Sequence, residues 1–105
     1  MVVAIAIVPT TSGSKYLQQL CKHWSHNLAV EFTPTHGNAV LPKDARGANH
    51  PGDALVTFDA DPESLAVRID ATCDAQLEGL KGAVARHLDR FAFREAPLAF
   101  DWRNA

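Results

Sequence analysis

Leu65-Ala66-Val67-Arg68-Ile69-Asp70 alternates apolar and polar side chains without a break. A period of two belongs to a half-buried β-strand, with Leu65, Val67 and Ile69 turned towards a core. Upstream, Ala60-Asp61-Pro62-Glu63 has the composition of a tight turn, and Ala54 to Phe58 reads as the strand before it. Pro42 to Gly52 is polar, with two Pro and two Gly, and is expected to be a loop of the kind that often carries binding residues. Before it, Ala39 to Leu41 is a short strand and Thr33-Pro34-Thr35-His36-Gly37 a turn. Leu28, Val30 and Phe32 form another alternating strand. Four strands therefore follow one another.

A helix is expected on each side of this block. Over Ser14 to His26, the residues Leu17, Leu20, Cys21 and Trp24, followed by Leu28, fall on one stripe at helical spacing. Over Asp74 to Phe93, the core-facing stripe is Leu77, Leu80, Val84, His87 and Phe91, with Leu88 beside it. Gly79 and Gly82 weaken that helix by about 1 kcal/mol each relative to Ala, which suggests close packing against a neighbour. Hydroxyl-rich segments, Thr10 to Ser14 and Thr72 to Asp74, are placed to cap the two helices. Val2 to Val8 is continuously apolar and is expected to be a strand buried on both faces. Pro97 to Ala105 is a tail that Phe100 and Trp102 dock onto the body. The resulting order, β-α-β-β-β-β-α, segregates helices from strands. It predicts an α+β single domain over residues 1–105, an antiparallel sheet with both helices on one face. The same order occurs in one half of the TATA-binding protein fold, a likeness of topology alone.

The chain has 105 residues, 47% of them hydrophobic and 21% charged, enough for one core without staples. Its net charge of -2 argues against nucleic acid as a partner. The two cysteines, Cys21 and Cys73, form no CxxC pair and suit a reducing compartment. The apolar start is too short to span a bilayer and lacks the features of a signal peptide, so a cytoplasmic protein without membrane contact is expected.

Two segments carry candidate chemistry. In Cys21-Lys22-His23-Trp24-Ser25-His26, the i, i+3 spacing lets His23 and His26 point to one side of a helix, and His87 could supply a third imidazole to a metal. The plainer reading leaves His23 half-buried with a hydrogen bond and His26 in solvent. In the segment Arg86 to Glu95, the residues Arg86, Arg90 and Arg94 recur every fourth position and make a positive stripe beside His87, suited to a carboxylate or phosphate. The plainer reading is a solvated face with Arg86 paired to Asp89. Cys73 lies near a helix N-terminus but has no sequence-adjacent base, and Cys21 belongs on the apolar stripe. Neither paired carboxylates nor a GxSxG, GxGxxG or GxxxxGK[ST] pattern occurs. The motifs assemble no catalytic set and name no cofactor.

These same two segments, Cys21 to His26 and His87 to Glu95, resemble the signature blocks of an uncharacterised bacterial family, number 2218 among the domains of unknown function. The likeness extends over nearly the whole chain. It implies a small accessory module linked to iron or siderophore utilisation, working beside a siderophore-interacting flavin reductase. The positions matching the blocks are His23, Trp24, His87, Asp89, Arg90, Phe91 and Arg94.

Three functions are compatible with these readings. One is a module binding an anionic small ligand near His23, Trp24, His87, Arg90 and Arg94. The second is an interaction domain that pairs with a second copy or a reductase. The third is a metal site on His23, His26 and His87.

Overall fold

The structure is a computed structural model describing residues 1–44 and 47–104. Its elements are β1 (Val2–Pro9), α1 (Gly13–Trp24), β2 (Ala29–Phe32), β3 (His36–Leu41), β4 (Ala54–Ala60), β5 (Ser64–Ala71), α2 (Asp74–Phe91) and β6 (Arg103–Asn104). The strands form one antiparallel sheet in the order β2-β3-β4-β5-β1-β6. Both helices lie on the same face, α1 over β2, β3 and β4, α2 over β5 and β1, and they touch each other.

The alternation at residues 65–70 sets the inner face. Register aligns Ala4 with Ile69, Ala6 with Val67 and Val8 with Leu65 on one side, and Val56 with Ile69 and Phe58 with Val67 on the other. All of these are buried, and Leu17, Leu20, Cys21, Val84 and Leu88 close over them from the helices. Each large apolar side chain so buried contributes roughly 1.5–3 kcal/mol.

Gly37 marks a close approach between the layers. A Cβ there would meet Cys21 Sγ at 2.8 Å and Leu17 Cδ1 at 3.6 Å. The absent side chain lets α1 settle directly onto β3.

Several expectations are corrected. β1 is buried on its inner face only, and Ile7 on the other face is 55% exposed. With both helices on one side, no helix or strand among the described residues covers the outer face. The Val and Ile residues there reflect preference for extended backbone as much as burial. The tail is more than a docked coil: Phe100 and Trp102 stack at 5.6 Å and pack on the core, and Arg103–Asn104 then adds a sixth strand along the free edge of β1. β3 begins at His36, inside the segment read as a turn. α1 ends at Trp24, and Ser25 to Asn27 is a turn, which takes His26 off the helix.

Neither helix is capped by its own N-cap side chain, Ser12 or Cys73. At α2 the work falls to Gln76, whose Oε1 accepts from the Thr72 backbone N–H at 2.8 Å and from Thr72 Oγ1 at 2.7 Å. This resembles the reaching-back half of a capping box. The segment after α2 is tied back to the start of α1, where Tyr16 and Thr10 hydroxyls both donate to the Glu95 carboxylate.

Candidate functional site

A cleft of about 460 Å³ opens where the C-terminal end of α1, the loop after β3 and one flank of α2 meet. From α1 and its following turn come His23, Trp24, Asn27 and Leu28; from the β3 end and loop come Leu41, Pro42, Ala48 and His50. α2 contributes Gln76, Gly79, Leu80, Ala83, Arg86 and His87.

The back wall is rigid. Trp24 is 8% exposed and lies 6.2 Å from the Phe58 ring in the core, so the indole is fixed by the same packing that holds the sheet. His87 meets Trp24 edge-on at 5.6 Å and His23 at 6.0 Å, and Phe91 closes the far side of His23 at 6.0 Å. His87 Nδ1 lies 2.6 Å from the Ala83 carbonyl. A carbonyl only accepts, so Nδ1 carries the proton and Nε2 is left for another partner.

The loop wall is tethered rather than loose. Gln76 is 3% exposed and donates through Nε2 to the Gly52 carbonyl at 2.9 Å. The Lys43 N–H donates to Asp53 Oδ1 at 2.8 Å, and the His50 N–H to the Lys43 carbonyl at 3.0 Å. These bonds hold His50 at the cleft's edge.

Small residues make the opening. A Cβ at Gly79 would have nothing within 4 Å, and Ala83 follows one turn later. Gly79 therefore does not serve close helix packing, as the sequence suggested; it leaves room. A Cβ at Gly82 would meet only the Arg86 guanidinium of the same helix, at 3.0 Å.

The structure brings His23, Trp24 and His87 together, although His23 and His87 lie on different helices. Arg90 and Arg94 do not line the cleft: both are exposed, and Arg94 lies over the Phe93 ring at 5.8 Å. Only Arg86 of the arginine stripe reaches it, because residues spaced by four drift around a 3.6-residue helix. Arg86 is not paired with Asp89, whose Oδ1 instead accepts the Leu98 N–H at 2.9 Å and anchors the tail. His23 is exposed at the rim rather than half-buried. His26, in the turn, is not among the lining residues. Among the described residues, no three His, Cys, Asp or Glu side chains are grouped to hold a metal, so the set His23, His26 and His87 does not form.

The lining residues His50 and Gln76 were not singled out from sequence. His50 sits in a loop with no pattern to mark it, and only its membership of a long polar loop hinted at a site. Gln76 was obscured by its position on an apparently core-facing helix. The cleft carries no carboxylate among its described lining residues, so its fixed charge is the Arg86 guanidinium.

Among the described residues no helix is long and apolar enough to cross a membrane. No curated protein matches the sequence. A similar solved structure is the NMR structure of PA4090 from Pseudomonas aeruginosa, with 28% sequence identity and a TM-score of 0.75 over 98% of this chain and 96% of that one. The bacterial family described as DUF2218, uncharacterised protein conserved in bacteria, matches residues 5–103, and the chain belongs to that family.

Proposed function

We propose that the cleft binds a small anionic ligand with a flat, partly apolar body. The observation that carries this is convergence among the described residues: an aromatic wall of Trp24 and His87, the Nε2 of His87, and the Arg86 guanidinium face one opening with no opposing carboxylate among its described lining residues. Guanidinium selects carboxylate, phenolate or phosphate, and the indole and imidazole faces select a ring. The opening is of the size that small-molecule sites have. An aromatic carboxylate fits this description, and so does a catecholate or its iron chelate, the ligand class that the family resemblance implies. Arg86, rather than Arg90 or Arg94, is assigned the anion.

The test is a thermal-shift panel of benzoate, salicylate, catechol, and ferric catecholate and hydroxamate chelates. A ligand at about 100 times its dissociation constant adds ~2.7 kcal/mol, a shift on the order of 10 °C for a chain of this length. A shift that Arg86→Ala removes and Arg90→Ala leaves intact supports the proposal. A panel without any shift counts against it.

A second reading, pairing with another copy or with a reductase, is supported by the outer sheet face. Ile7 is 55% and Leu55 38% exposed there, with Ile5 and Val3 half-exposed between them. It is placed second because the Arg68–Asp70 ion pair, 3.0 Å, interrupts the patch. Light scattering of the wild type and Ile7→Glu distinguishes the two: a dimer that the substitution dissolves favours pairing.

A further inference from the structure

Beside the loop wall of the cleft lies a nucleophile and base pair that neither signature block contains. Cys73, the residue before α2, places its Sγ 3.7 Å from Nδ1 of His50, 23 residues earlier in the chain. The thiol is partly exposed, and the His50 ring lines the cleft. The contact has a structural basis. Gln76, one turn along α2, bonds the Gly52 carbonyl and so fixes the end of the loop against the start of the helix. That bond brings a residue of the loop and a residue of the helix start within reach of each other.

We propose that Cys73 and His50 form a thiol–imidazole pair that exchanges with small disulfides, making Cys73 a site of reversible covalent modification beside the cleft. In the exchange, His50 Nδ1 takes the proton from Sγ. The thiolate attacks one sulfur of the disulfide. The new bond joins Cys73 to that sulfur, the original S–S bond breaks, and the departing thiolate receives the proton from the imidazolium. Cys73 is oxidised and the leaving half of the reagent is reduced. Cys21 cannot resolve the product. It is fully buried, and burial pushes its thiol up to about 11. Release therefore needs an external thiol, and until then the attached group stands beside His50. The proposal goes beyond the binding reading and does not depend on the ligand's identity.

The experiment treats the folded protein at neutral pH with two probes, oxidised glutathione and dithiobis(nitrobenzoate), and follows the rate and the mass of the product. The expected result is one modified thiol per chain, lost in Cys73→Ser and slowed on the order of tenfold or more in His50→Ala and His50→Gln. Comparing two substitutions at His50, with thermal unfolding of each, separates loss of the base from loss of the loop's fold. Equal rates in the wild type and in folded His50→Gln would overturn the pairing. Modification that persists in Cys73→Ser, or a wild type inert to both probes, would overturn the site.

Discussion

Gly37, on β3 beneath α1, and Gly79, on α2 itself, do opposite things. At Gly37 there is no space: a Cβ would sit 2.8 Å from Cys21 Sγ. At Gly79 there is nothing within 4 Å. The first glycine lets α1 close onto the sheet, and the second keeps α2 from filling a cleft. The same residue type is used once for packing and once against it. A helix interior with an unneeded glycine costs stability, so retaining Gly79 at an open position points to what the space is for.

The comparison can be broken at several points. Trp24 belongs to both regions, packed on Phe58 and facing the cleft. Trp24→Ala should cost about 3–5 kcal/mol in a urea titration and remove ligand binding with it. A loss below 1 kcal/mol would mean that the cleft wall is not built on the core. Gly37→Ala should cost about 1–3 kcal/mol by overpacking against Cys21. Adding Cys21→Ala should return part of that loss, because the double mutant relieves the contact. Strict additivity would show that the clash is not with Cys21. Gly79→Ala should stabilise by about 1 kcal/mol, and Gly79→Leu should hold its stability while blocking the cleft. A destabilised Gly79→Ala would show that the space is not free.

The smallest effect is a pH dependence carried by Tyr16 and Cys21. The hydrogen bond to Glu95 raises the pKa of Tyr16 above its ordinary value, with burial and the Glu95 charge acting the same way. Burial lifts the Cys21 thiol from 9.0 to about 11. In both, the fold favours the protonated form, so the unfolded chain loses its proton first. The Cys21 contribution is fully present below pH 9 and declines as pH rises from there towards 11, and the Tyr16 contribution is lost only as pH rises beyond 10. Cys21→Ala should flatten the alkaline fall in melting temperature. An unchanged slope would assign it elsewhere.

How much of this was legible in sequence follows from the range of the forces involved. The alternation at Leu65, Val67 and Ile69 and the stripe at Leu17, Leu20, Cys21 and Trp24 are local and periodic, and they led to the four consecutive strands β2 to β5, the two helices and the shared face. β6 was missed because two residues carry no period; the edge of β1 and the docking of Phe100 and Trp102 place it. Ile7 was assigned to a core because composition alone does not separate a buried face from an extended one. Within the site, His23, Trp24 and His87 were legible as residues flanking apolar stripes. Arg86, His50 and Gln76 depend on where α2 sits relative to the loop, which no local pattern encodes. The Cys73–His50 contact is likewise non-local, and so sequence adjacency could not reveal it.

The measurement that tests the central claim most directly is an amide and indole chemical-shift map of the folded protein titrated with salicylate and with a ferric catecholate chelate, diamagnetic gallium replacing iron where broadening interferes. The account predicts saturable shifts centred on the Trp24 indole, His87, Gly79 and Arg86, and their loss in a folded Gly79→Leu. Shifts gathered instead on Ile7, Leu55 and the outer sheet face, or none at saturating ligand, would contradict it.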